Sequence, residues 1–277
     1  MRLGIGCGRA PDREDAMREN RVKAKMRQGT LALGTSVGLA DPAVVELIGL
    51  AGFDAAFIDM EHTCFELGMV EEMVRACEVA GITPIVRVPD NNPKTMLRLL
   101  DAGVQGIQVP HIAGAADALA AVKAVRYAPL GERGMAGASR AARYGTMPLG
   151  EHLATSNAEI LLALMIEDLP ALRDVAEIAA TSGVDLIAIG PGDLSAALGV
   201  SDPRDPRLRE TIEHVASTLR RVGKARMAFP LGLSAYPVTP AHLREMGVAY
   251  SNCYPGDLGR LLQSYQTQVR QLRADLG

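Results

Sequence analysis

Short apolar runs and longer helical stretches alternate along this chain with a near-constant rhythm, and that rhythm restricts the fold more than any single motif. Parallel strands, each returned to the same end of a sheet by a helix, write a sequence in this way. Eight runs read as strands, at 31–35, 55–59, 84–88, 106–109, 161–166, 186–189, 225–229 and 249–253. Helices are expected between them at 42–51, 65–80, 93–102, 115–125, 169–181, 206–222 and 240–246, with a last one from residue 255 onward. Asp41-Pro42, Asn92-Pro93, Asp205-Pro206 and Thr239-Pro240 each place a capping side chain before a proline at the first helical position. Gly81, Gly103, Gly183 and Gly247 supply left-handed stops before the next strand. Eight such units fit an α/β fold of the (β/α)8 TIM-barrel type better than an open doubly wound sheet, which stays the alternative.

The chain has 277 residues, of which 48% are hydrophobic and 22% charged, so it has the material for one large core. No linker or low-complexity tract divides it, and one catalytic domain over residues 17–277 is expected. Residues 1–16, with Gly4, Gly6 and Gly8 and a polar stretch after Pro11, read as a loose extension. The one break in the rhythm is 127–159, a Gly- and Arg-rich segment expected to be loop with short helices. A connection that long is either functional, near the barrel mouth, or a solvated or intersubunit loop.

A net charge of −3 and dispersed arginines exclude the basic surface that nucleic acid or an anionic membrane requires. The longest apolar runs are too short for a bilayer, and a cytoplasmic enzyme acting on small molecules is expected. Cys7, Cys64, Cys77 and Cys253 are too scattered for a zinc site or disulfide framework and read as free thiols.

A barrel carries its chemistry at the C-terminal ends of its strands. There the chain is polar: Asp59-Met60-Glu61-His62, then Arg87, then Glu167-Asp168, then Gly190-Pro191-Gly192-Asp193. Glu167 and Asp193, at consecutive strand tips, are a pair of hard oxygen donors suited to a divalent cation, or else two helix-capping acids. The small residues around Gly192 either expose backbone N–H groups to an anion or make a plain tight turn. Arg87 directs a fixed charge into the mouth, toward an oxyanion or into a structural ion pair. His62 reads as a general base, or as a satisfied structural histidine; His111 also follows a strand, but the helix after it supplies no acidic partner, and it ranks second. The lysines fall in helices or before a strand, so no Schiff-base lysine is expected inside the barrel.

These residues, taken in order, resemble the HpcH/HpaI aldolases. The likeness rests on Gly52-Phe53-Asp54 leading to Asp59-Met60-Glu61-His62, on 84–89, on 101–110, on Ile166-Glu167 and on 190–195. It implies a barrel of the phosphoenolpyruvate/pyruvate type and a class II aldolase that cleaves a 4-hydroxy-2-oxo acid to pyruvate and an aldehyde. It further implies that Glu167 and Asp193 bind Mg2+, Mn2+ or Co2+, and that the N–H groups of Gly192 and Asp193 hold the pyruvate carboxylate. Arg87 would stabilise the enolate, and His62, oriented by Asp101, would act as base. The family's habit of forming homo-oligomers, hexamers or trimers, implies that the C-terminal helix packs on a neighbouring subunit. One position departs: Met165 stands where the best-known aldolases carry a glutamine two residues before the metal glutamate. Other chemistry on the same enolate, such as oxaloacetate decarboxylation or thioester lysis, is the alternative, and a non-catalytic metal-binding barrel is a third.

Overall fold

The structure, a computed structural model, describes residues 19–202, 204–233 and 236–276. The expected N-terminal extension, 1–16, lies outside the described residues.

Eight parallel strands close on themselves in sequence order: β1 (Ala32–Val37), β2 (Ala55–Asp59), β3 (Thr83–Arg87), β4 (Gly106–Val109), β5 (Leu161–Ile166), β6 (Leu186–Ile189), β7 (Arg226–Ala228) and β8 (Val248–Cys253). Every neighbouring pair is parallel, β8 returning to β1 through Gly34↔Asn252, so the open-sheet alternative is removed. Around them run α1 (Arg21–Arg27), α2 (Pro42–Leu50), α3 (Leu67–Ala80), α4 (Pro93–Asp101), α5 (Ala115–Val125), α6 (Leu149–Glu159), α7 (Leu169–Arg173), α8 (Val175–Ala180), α9 (Pro191–Ala197), α10 (Pro206–Val222), α11 (Pro240–Met246) and α12 (Asp257–Leu276).

The capping signals act as the sequence predicts. Asp41, Asn92, Asp205 and Thr239 each accept from a backbone N–H of the first turn they precede, beside the proline that opens it. Two stretches differ from expectation. The helix expected over 169–181 breaks at Asp174 (φ −100°, ψ 9°) into α7 and α8. The segment 127–159, expected as loop with short helices, ends in the 11-residue α6.

Alternation along the strands sorts the side chains into two cores. Ile58, Val86, Ile107, Leu164 and Ile187 face outward into the helix layer, whereas Ala55, Phe57, Ile85, Ala163, Met165 and Ala188 point into the barrel. α1 lies across the strands' N-terminal end, with Val22 and Met26 on the inner cluster. Charge holds it there: Lys23 pairs with Asp185 at 2.9 Å and Lys25 with Asp54 at 2.8 Å, both acids immediately preceding a strand. The interior is plugged at that end and opens at the other.

Candidate active site

At the C-terminal end of the strands lies a cavity of about 200 Å3. Its walls include His62, Arg87, Gln108, Met165, Gly192 and Asp193, with aromatic side chains at Phe57, Phe229, Tyr250 and Tyr254. Strand parity explains the set. Residues 85, 163 and 188 fill the barrel, so 87, 165 and 190, two steps further along the same inner faces, rim its mouth.

Arg87 is fixed by two acids. Its Nε and Nη2 donate to the two carboxylate oxygens of Asp59 at 2.9 and 2.5 Å, and Nη1 lies 3.0 Å from Glu61 Oε2 as a close charge contact without hydrogen-bond alignment. Burial opposes ionisation of Asp59, but the Arg87 hydrogen bonds and charge outweigh it and hold that carboxyl below the usual range. The guanidinium, likewise penalised by burial, is held above its ordinary value by the same acids.

His62 follows β2 with its ring largely exposed, Nε2 3.7 Å from Glu61 Oε2. Its backbone N–H donates to Asp59 Oδ1 at 3.4 Å. The helix after His111 gives it no acidic partner, as expected, but other loops do. Its Nδ1 is 2.9 Å from Asp168 Oδ2 and its Nε2 3.4 Å from Glu61 Oε1. The hydrogen bond to Asp168, with the charges of Glu167 and Glu61, raises its pKa against the opposing effect of burial. A lone histidine in sequence shows only its own helix; the barrel supplies the rest.

Glu167 is 1% exposed. Its Oε1 accepts the His111 backbone N–H at 3.0 Å, while Oε2 is buried without a hydrogen-bond partner. Burial pushes this carboxyl up, opposed by His111 and reinforced by the nearby charges of Asp193 and Glu61. Gly190 leaves the space for it: a Cβ there would stand 2.7 Å from Glu167 Oε2 and 3.1 Å from the Met165 methyl. Asp193 sits in the first turn of α9, whose entry at Pro191 places Gly192 beside it.

Asp101 is elsewhere. It ends α4, and helices of a barrel run back to the strands' N-terminal end, so it lies at the opposite end of the molecule from His62. Its carboxylate accepts from Arg133 Nη2 at 2.7 Å, and the expected orientation of His62 by Asp101 is not made within one chain.

As for a cation, no group of three or more His, Cys, Asp and Glu side chains among the described residues forms a ready-made cage. The donor set fits an ion of another kind. Two carboxylates, one with an orphaned buried oxygen, suit a hard divalent cation that takes its other ligands from water and substrate.

The family profile described as HpcH/HpaI aldolase/citrate lyase matches residues 33–229, which contain every strand tip described above except that of β8. The chain belongs to the HpcH/HpaI aldolase/citrate lyase family. It is a carbon–carbon lyase. A 5-keto-4-deoxy-D-glucarate aldolase of Citrobacter koseri is 36% identical over 206 residues, 74% of this chain and 79% of that one. A 2-dehydro-3,6-dideoxy-6-sulfogluconate aldolase of Pseudomonas putida is 35% identical over 229 residues, 82% of this chain and 87% of that one. Among solved structures, an HpcH/HpaI aldolase from Desulfitobacterium hafniense superposes with a TM-score of 0.83 at 28% identity, covering 93% of this chain and 97% of its own.

Sequence reasoning missed two members of this HpcH/HpaI site. Glu61, read only as part of a motif, is the acid shared by Arg87, His62 and His111. Gln108 was passed over inside the apolar strand Gly-Ile-Gln-Val, where a lone polar side chain at inward parity was the available signal.

Proposed function

We propose that the protein is a metal-dependent pyruvate aldolase that reversibly cleaves a 4-hydroxy-2-oxo acid to pyruvate and an aldehyde. One observation carries the reading: Arg87, His62 and Asp193 wall a single cavity beside the buried Glu167, whose Oε2 has no protein partner.

Glu167 and Asp193 would hold the divalent cation, Mg2+, Mn2+ or Co2+, which when bound supplies a Lewis acid for the 2-oxo acid end of the substrate. The backbone N–H groups of Gly192 and Asp193, in the first turn of α9, would receive the substrate carboxylate. His62, exposed to solvent at the rim, takes the 4-hydroxyl proton through a water molecule. As that proton leaves, the C3–C4 bond breaks and its electron pair passes to C3 and the 2-oxo oxygen. The products are an aldehyde and the pyruvate enolate. Arg87, clamped by Asp59 and Glu61, presents a preorganised positive charge to the enolate oxygen. Protonation at C3 then gives pyruvate, and synthesis runs the same steps in reverse.

The relatives named for glucarate- and sulfogluconate-derived substrates support the aldol chemistry. The reading extends to a cytoplasmic homo-oligomer, trimer or hexamer. No described helix is long and apolar enough to cross a membrane, and α12 exposes an apolar stripe with no buried residue of its own.

The test is deuterium entry into the methyl group of pyruvate in D2O. Exchange is expected with Mg2+, Mn2+ or Co2+, absent with excess chelator, and reduced in His62→Ala and Arg87→Ala. An enzyme that exchanges nothing with any of these ions is not an aldolase of this kind. Screening aldehydes against oxaloacetate separates aldol cleavage from decarboxylation.

A further inference from the structure

Two N–H donors in the cavity, one buried and one half-buried, point at one sulfur atom. Gln108 Nε2 lies 2.9 Å from Met165 Sδ, and Arg87 Nη1 lies 3.9 Å from the same atom. The three residues stand on consecutive strands, with Arg87 and Gln108 in register across β3 and β4, and Met165 two residues beyond Gln108's register partner Ala163 on β5. Gln108 is 7% exposed and Met165 5%.

A thioether is a weak acceptor. Seating the Gln108 carboxamide N–H on sulfur leaves it well short of the interaction an oxygen would give it, and Arg87 Nη1, whose 3.0 Å contact with Glu61 Oε2 lacks hydrogen-bond alignment, gains little from the same sulfur. The arrangement is poised for a better acceptor, and its position names one. The Met165 methyl and Glu167 Oε2 both abut Gly190, so the point on which the donors converge adjoins the carboxylate proposed to hold the cation. Met165 is unbranched and adaptable, able to withdraw its sulfur at the cost of a rotamer change.

We propose that Gln108 is a further catalytic residue of this lyase: with Arg87 it forms a two-donor cradle for the enolate oxygen, which the Met165 sulfur fills until substrate displaces it. This rests on the pyruvate-enolate reading above. It assigns a neutral donor from β4 to the oxyanion and makes Met165 the cradle's resident acceptor. Charge develops on that oxygen only as the C3–C4 bond breaks, so the Gln108 hydrogen bond acts on turnover more than on ground-state binding.

The experiment compares wild type, Gln108→Leu, Met165→Leu and the swap Gln108→Leu/Met165→Gln, all with Mg2+ or Mn2+. It reads methyl exchange of pyruvate and calorimetric binding of oxalate, a planar dianion shaped like the enolate. Gln108→Leu, an apolar side chain of similar size, is expected to lower exchange kcat and weaken oxalate by roughly tenfold to a hundredfold, with pyruvate KM nearly unmoved. The swap, which moves the amide one strand over, is expected to recover most of both. In protein labelled with 13C at the methionine methyls, the resonance missing from Met165→Leu should shift when oxalate binds. Exchange and oxalate affinity within twofold of wild type in Gln108→Leu, or a stationary Met165 resonance, overturns the cradle. If wild type binds oxalate in a Gln108-dependent way yet exchanges nothing, the cradle stands and the aldolase reading falls. If wild type binds no oxalate, the cradle falls.

Discussion

Asp59 and Arg87 are register partners on adjacent strands, and the arginine grips both carboxylate oxygens of the aspartate, from Nε at 2.9 Å and from Nη2 at 2.5 Å. Such a fork fixes the plane of the guanidinium as well as its position. Nη1 is the part left facing Glu61 and the cavity. The catalytic use proposed for Arg87 therefore depends on a residue one strand away.

Asp59→Asn is expected to lower pyruvate exchange by at least tenfold and to cost about 2–3 kcal/mol of stability at neutral pH, since it leaves a half-buried guanidinium short of a charge partner. The pH dependence has a definite sign. The folded-state pKa of Asp59 lies below its reference of 3.8, so its contribution is complete above that pH and is lost as pH falls through the folded value. Urea denaturation should show a constant gap between wild type and variant from pH 5 to 8, closing below about 4. A gap that widened on acidification would refute the ion pair as its source.

The Glu167 carboxyl carries the opposite linkage. Burial raises its pKa, so without a cation its ionisation destabilises the fold as pH rises through the reference of 4.5 toward the folded value. Glu167→Gln is accordingly expected to stabilise chelator-treated protein near pH 7 while abolishing exchange. Adding Mg2+ or Mn2+ to wild type at a hundred times its Kd should raise stability by about 2.7 kcal/mol, and Glu167→Gln should lose most of that gain. Gly190→Ala, whose new Cβ would meet Glu167 Oε2 at 2.7 Å, should weaken metal binding without backbone strain, since the Gly190 φ of −95° suits any residue. Calorimetric metal titrations decide each case.

How far the sequence could be read follows from which interactions are local. Caps at Asp41, Asn92, Asp205 and Thr239 involve neighbours within three residues, and the strand–helix rhythm is a property of the chain, so the barrel was legible. Glu167 and Asp193 were legible as strand-tip acids because the architecture alone sends such positions to the mouth. Pairings across strands were not. Nothing near Gln108 in sequence announces that it meets Met165, 57 residues on, and nothing near His111 announces Asp168. The break at Asp174 was hidden because 169–181 is helical in composition throughout.

Asp101 tests whether a residue placed far from His62 has a purely structural task within the chain. Arg133, its side chain fully buried, stacks over the Tyr127 ring at 4.4 Å and, among the described residues, keeps Nε and Nη1 without hydrogen-bond partners and has Asp101 as its one charge contact. Asp101→Ala should destabilise the fold by roughly 3 kcal/mol, because it strands a buried cation. Asp101→Asn, which retains an acceptor for Arg133, should cost about half of that. The measurement is thermal and urea unfolding alongside pyruvate exchange. Exchange lost in Asp101→Asn with stability retained would show that this carboxylate reaches a reaction centre in the assembled protein.

The last helix makes the assembly itself testable. Leu258, Leu262, Tyr265, Val269, Leu272 and Leu276 follow one another at steps of four, three, four, three and four, the spacing of a packing seam, and every one is exposed. Among the described residues the helix is tied to the barrel at its start, where Asp257 accepts from the backbone N–H groups of Gly38 and Leu39 at 2.8 and 3.0 Å. A seam this long left in water forfeits about 1.5–3 kcal/mol for each large side chain that a partner would cover. Leu262→Asp and Val269→Asp, placed mid-seam, should shift the protein from oligomer to monomer in light scattering. Since neither residue contributes to the barrel core, the far-ultraviolet circular dichroism of the barrel should persist. An oligomer that survives both substitutions at micromolar concentration would mean that the subunits meet on another face.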